Sequence, residues 1–144
     1  MSSNFIEAMT AAAARAPGAA LTVASDRLPC TTTLGDVVAA GRRMGTRMTA
    51  AGVGRGDIIA CMLANWREWL VVAVASAQAG AVMLPVVTIY GAKELGFILR
   101  QSGARWLFTP DRFRNVDYAQ VVADCGDLPA IDQCAAAIEA DARR

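Results

Sequence analysis

From Thr33 to Ala51, small or apolar residues return every three or four positions, at Leu34, Val37, Val38, Gly41, Met44, Gly45, Met48 and Ala51. That period draws one stripe along an α-helix. Thr33 stands where an N-cap belongs and Asp36 where a capping carboxylate reaches back, so the helix is predicted to begin there. Arg42, Arg43 and Arg47 fall off the stripe and read as a solvated face rather than an anion site. Upstream, "NFIEAMTAAAARAPG" sets Phe5, Met9 and Ala12 or Ala13 on one helical face and stops at Pro17-Gly18. Between the two helices, "ALTVAS", "DRLP" and "CTTT" place β-branched residues on both sides of a polar turn, as a short hairpin does.

Downstream the pattern changes. Ile58 to Leu63, Ala81 to Val87 and Trp106 to Phe108 are apolar at nearly every position, as strands covered on both faces must be. Between the first two, Asn65 is predicted to cap "WREWLVVAVASAQAG", with Glu68 at the box position and Gly80 just past the end. Between the second and third, "AKELGFILRQSG" aligns Leu95, Ile98 and Leu99 and ends at Gly103. Strand, capped helix, glycine stop and strand, repeated, predict an α/β fold: βαβ units on a parallel sheet with flanking helices, preceded by the hairpin. After Thr109-Pro110 the signal weakens. "NVDYAQVVADC" suits a helix, and "LPAIDQCAAAIEADARR" suits either an alanine-rich helix or a frayed tail.

"GVGRGD" at Gly52 to Asp57 imitates a phosphate loop, but such a loop needs a strand before its glycines and a helix after them. Here the helix comes first. Gly52 therefore reads as a left-handed helix stop, and Gly54 and Gly56 as the turn into a strand.

Composition narrows the chemistry. Apolar residues make up 55% of 144 and charged residues 19%, enough for a real core in one domain. Fourteen basic residues oppose thirteen acidic ones without a basic run, which argues against nucleic acid as a partner. Histidine is absent, removing the commonest general base and metal ligand. Cys30, Cys61, Cys125 and Cys134 form no CxxC pair, so no zinc site is expected, and Cys61 reads as a small core residue in a reducing, cytoplasmic setting. Trp69 to Ala92 carries no charge and is long enough to cross a bilayer. Its "QAGA" turn and Pro85 divide it into a buried helix and a strand instead, so no transmembrane span is expected.

Laid end to end, "TTTLGDVVAAGRRMGTRMTAAGVGRGDIIACMLANWREWLVVAVASAQAGAVMLPVVTIYGAKELGFILRQSGARWLFT" resembles the amino-terminal region of the adenylate-forming enzymes, the superfamily of acyl-CoA synthetases, luciferases and peptide-synthetase adenylation domains. The match runs from about Leu21 to Pro110, and "NWREW", "TIYGAKELGFIL" and "FRNVDY" are closer to bacterial fatty-acyl or alicyclic-carboxylate CoA ligases. The resemblance implies a parent AMP-binding ligase of fatty-acid metabolism that uses ATP, Mg²⁺ and CoA to turn a small carboxylic acid into its thioester through an acyl-adenylate. The family's phosphate loop, adenine motif, ribose-binding Asp and catalytic Lys lie further downstream and are missing from this sequence. The expectation is thus a truncated, inactive piece, with no cofactor, catalytic or metal residues of its own. Residues 1–112 would form its α/β subdomain and 113–144 a helical continuation or tail. Its expected partners are the rest of the ligase, or another copy paired through an exposed sheet edge.

Tyr90, Lys93 and Glu94, just past a strand's carboxyl end, are the candidate edge of a substrate pocket. Trp66 and Trp69 read as packing residues rather than a substrate wall. Two other functions compete: a freestanding flavodoxin-like binding module and a membrane-associated interaction protein.

Overall fold

The computed structural model describes residues 4–24, 30–128 and, as backbone, 132–133. In chain order the elements are α1 (Phe5–Arg15), β1 (Ala20–Val23), β2 (Cys30–Thr33), α2 (Leu34–Ala50), β3 (Ile58–Cys61), α3 (Arg67–Ala79), β4 (Val82–Pro85), α4 (Ala92–Ser102), β5 (Trp106–Phe108), β6 (Arg112–Phe113), β7 (Val116–Asp117), α5 (Tyr118–Ala123) and β8 (Asp132–Gln133). They fall into two units, one of residues 1–56 and 65–82, the other of 57–64 and 83–144.

In the first unit, a capping box starts α1. Asn4 Oδ1 accepts from the Glu7 N–H at 2.9 Å and Glu7 Oε2 from the Asn4 N–H at 3.2 Å. The predicted face of this helix is corrected: Ala13 is buried, but Phe5 is 53% exposed. The helix rests on α2 and α3, with Ala13, near its end, buried.

β1 and β2 pair antiparallel from Ala20↔Thr33 to Val23↔Cys30, the expected hairpin. Thr33 ends β2 and caps α2 at once. Its hydroxyl accepts from the Asp36 N–H at 3.0 Å and donates to the Asp36 carboxylate at 2.7 Å. The predicted stripe is buried at Val37, Val38, Gly41, Met44, Gly45 and Met48, with Ala40 added, and Arg42, Arg43 and Arg47 are exposed. Gly52 (φ 92°) and Gly56 (φ 91°) take the left-handed conformation that the helix stop and turn require.

The start of α3 is also corrected. Its N-cap is Trp66, in extended geometry with no side-chain capping bond, and Asn65 is exposed. The start is set instead by burial of the Trp66 indole. Glu68 thereby falls one residue short of the box position. The other end is as expected: Gly80 (φ 74°) is left-handed, and the Ala81 N–H returns to the Ser76 carbonyl at 2.9 Å. The uncharged stretch is thus helix, glycine stop and strand, and among the described residues no helix is long and apolar enough to cross a membrane.

In the second unit the sheet order is β4-β3-β5-β8, with β3, β5 and β8 running parallel. The α/β fold is therefore the observed one. Ala60, Met62, Val86, Leu95, Leu99, Ala104, Leu107, Tyr118 and Cys125 form its core. β3 and β5 are water-excluded as expected, but β4 is not, for Val82 is 55% exposed. The chain steps outward from β3 to β4 and returns past β3 to β5, which leaves β4 on the rim. The Val86 N–H donates to the Cys61 carbonyl at 2.9 Å. Alternation then turns the backbone groups of Met83 and Pro85 outward, and proline has no N–H to offer there. Such an edge is blunted against strand pairing.

Beyond Pro110 the chain makes a second hairpin, β6–β7, clamped by Arg112 Nη2 on Asp117 Oδ2 at 3.0 Å. "NVDYAQVVADC" is helical only from Tyr118 to Ala123, because Asp117 pairs in β7 and then caps α5. Apart from Leu128, Asp132 and Gln133, "LPAIDQCAAAIEADARR" lies outside the described residues.

Asp117 makes this corner acid-sensitive. The Gln120 N–H first, and the Arg112 guanidinium second, hold its carboxyl below the ordinary carboxylate value. A lowered folded value means the contribution to stability is full only well above the unfolded value of about 3.9 and is lost as the pH falls through the folded value. An NMR titration of the Asp117 carboxyl is expected to give a midpoint below about 3.9, with the Gln120 amide shift moving alongside it. A midpoint at or above that value would contradict the pairing.

Candidate functional site

The candidate site lies at the carboxyl end of β4, within the second unit. After Pro85, Val86 returns its side chain to the core, and residues 87–90 make a turn closed by the Tyr90 N–H on the Val87 carbonyl at 3.3 Å. Gly91 then caps α4 in extended geometry, and its N–H is taken by Glu94 Oε2 at 3.1 Å. The turn shows apolar side chains to solvent: Ile89 is 85% exposed, Val87 and Tyr90 are exposed as well, and Phe97 joins them from α4.

Tyr90, Lys93 and Glu94 follow one another along this loop and the first turn of α4, all exposed. Glu94 is engaged as a cap, favourable beside the positive end of the helix dipole. Lys93 is in that same first turn. The three form an exposed rim of mixed polarity. Trp66 is buried and Trp69 half-buried, in keeping with packing.

Tyr118 was missed by sequence reasoning, which used "FRNVDY" only as a family likeness. Its ring is buried in the core and its hydroxyl donates to the Thr88 carbonyl at 2.9 Å, fastening the turn from below. Burial pushes its phenol above the ordinary value, so it stays a neutral donor. The available signal was Asp-Tyr after a tight turn, since an aromatic just inside a capped helix faces the core and a buried phenol needs an acceptor.

Other reactive groups are held inert or serve structure. Burial pushes the Cys61 thiol up to about 12, as befits a core residue, and raises that of Cys125. Arg100 donates to the carbonyls of Cys125 at 3.2 Å and Asp127 at 3.4 Å, fixing the end of α5 to α4. Among the described residues no three acidic or cysteine side chains converge as metal ligands.

Residues 9–143 match the family model of AMP-binding enzymes. A putative acyl-CoA synthetase, YngI of Bacillus subtilis (strain 168), is 42% identical over 71 residues, covering 49% of this chain and 13% of its own. Among solved structures, the N-terminal domain of FACL13 from Mycobacterium tuberculosis superposes with a TM-score of 0.83 at 23% identity, covering 99% of this chain and 36% of that one. The acetoacetyl-CoA synthetase from Streptomyces lividans gives 0.80 at 25% identity, covering 90% and 21%. The chain thus spans about an eighth of the length of the curated Bacillus relative. With the α/β fold already established, the match over residues 9–143 makes this chain a member of the AMP-binding enzyme family, corresponding to its amino-terminal region.

Proposed function

We propose that this chain is the amino-terminal scaffold of an ATP-dependent acid–thiol ligase. In that reaction a carboxylate attacks the α-phosphate of ATP, pyrophosphate leaves, and the thiol of CoA then displaces AMP from the acyl-adenylate. ATP, Mg²⁺ and CoA would supply the electrophile, the charge neutralisation and the nucleophile. The observation that carries the reading is the family match over residues 9–143 together with an acyl-CoA synthetase relative of which this chain spans 13%.

Charge develops on the α-phosphate and carbonyl oxygen during such a reaction, and cationic or N–H donors must converge there. The chain's part in this reading is to fold, to present the rim of Tyr90, Lys93 and Glu94 to the acid, and to dock on the remainder of the ligase. In this reading residues 1–112 form the α/β subdomain and 113–144 the continuation toward the catalytic parts. A cytoplasmic location accords with the free thiols at Cys30, Cys61 and Cys125. Docking on the remainder is favoured over pairing of two copies, because Pro85 blunts the open sheet edge.

Two measurements test this. The purified chain is expected to give no carboxylate-dependent ATP–pyrophosphate exchange above blank, and clear exchange would overturn the scaffold reading. A chimera in which residues 21–110 of this chain replace the matching segment of the Bacillus relative is expected to retain exchange. A folded but inactive chimera would sink the proposal.

A further inference from the structure

Tyr118 is one of the largest fully buried side chains, at 1% exposure, in the core with Met62, Val86, Leu95 and Leu107. A phenylalanine would fill the same volume. What tyrosine adds is a hydroxyl, which leaves that cluster to meet the Thr88 carbonyl, thirty residues away in sequence. The position of that acceptor gives the bond its consequence. Thr88 is the second residue of the turn 87–90, so its carbonyl belongs to the central peptide, whose orientation distinguishes the common turn types.

Little else holds this turn. Its closing bond is long, at 3.3 Å, and its side chains at Val87 and Ile89 are spent on solvent rather than on burial. A loop with few buried contacts opens locally at low cost. A hydrogen bond from a side chain anchored in the core removes that freedom at one defined peptide.

We infer that Tyr118 is a positioning residue: by gripping the Thr88 carbonyl it holds turn 87–90 in a single conformation. The docking of the β6–β7 hairpin and α5 thereby sets how Ile89 and Tyr90 are presented. The Thr88–Ile89 peptide is the element controlled, and the hydroxyl is the controlling group. The inference concerns the loop alone and stands whether or not the adenylation reading does, since its test uses no acid, ATP or CoA.

Tyr118→Phe removes the hydroxyl and keeps the ring. Residue-resolved amide exchange on the whole chain is expected to accelerate roughly three- to tenfold at Tyr90, whose N–H closes the turn, while Ala60 and Leu107 in β3 and β5 stay unchanged. Thr88→Val, which keeps the carbonyl, is expected to leave the turn as it was. Unchanged exchange at the turn, equal acceleration in β3 and β5, or an equal effect of Thr88→Val would each overturn the inference. Should Tyr118→Phe fail to fold, backbone relaxation of the unaltered chain decides. Order parameters for residues 88–90 near the rigid value of about 0.85 support the grip, and values below about 0.6 refute it.

Discussion

Ile59→Ala is expected to lower the unfolding free energy by about 2–5 kcal/mol, the larger of two losses that the sheet order now separates. Ile59 has no exposed surface and sits on β3, between β4 and β5, in register with Trp106. Alternation along β3 sends Ala60 and Met62 into the core of the second unit and places Ile59 with Cys61 on the opposite face, equally sealed. Leu84→Ala, on the half-buried rim strand, is expected to cost clearly less, because water already reaches one side of that residue. Denaturant titrations followed by tryptophan emission check the ranking, with Ile59→Val expected at about 0.5–1.5 kcal/mol as the conservative reference. Equal losses at positions 59 and 84 would return Leu84 to a doubly covered strand and contradict the order β4-β3-β5.

That ranking shows where the sequence was legible. Periodicity and capping are local, so α2 with Thr33, α4 with Leu95 and Leu99, and the glycine stops at 80 and 103 could be read directly. Strand order is not local. A run such as Ala81 to Val87 looks the same on a rim as in the middle of a sheet, and only the return of the chain past β3 decides. The misplaced cap at Asn65 has a related cause, since burial of the neighbouring Trp66 overrode a side-chain preference worth about 1 kcal/mol. At the candidate site, Tyr90, Lys93 and Glu94 were singled out from the sequence because they lie within five residues just past a strand. Tyr118 was missed because its local sign, Asp-Tyr after a turn, does not reveal its partner: the bond to Thr88 joins segments thirty residues apart. The family likeness was legible for the opposite reason: it rests on the order of many local landmarks rather than on any one contact.

Gly41→Ala and Gly45→Ala combined are expected to destabilise the first unit by about 1–3 kcal/mol, against the sign that helix propensity alone predicts. An alanine normally gains about 1 kcal/mol over glycine inside a helix. Here both glycines lie on the face of α2 that meets α3, and the new methyl groups have nowhere to go. A Cβ at Gly41 would stand 2.5 Å from Cβ and Cγ1 of Val74, a fully buried β-branched residue with little rotamer freedom. A Cβ at Gly45 would stand 2.9 Å from the Ala75 carbonyl oxygen, a backbone atom that cannot step aside, and 2.7 Å from Gln78 Cβ. The two helices must therefore separate, loosening Val37, Val72 and Val74, which are now free of solvent. Ala39→Gly, on the exposed side of α2, supplies the propensity change without the contact and is expected to cost only about 1 kcal/mol. Thermal melts by circular dichroism distinguish the cases. A double variant more stable than the parent would mean that α2 and α3 are not in glycine-limited contact.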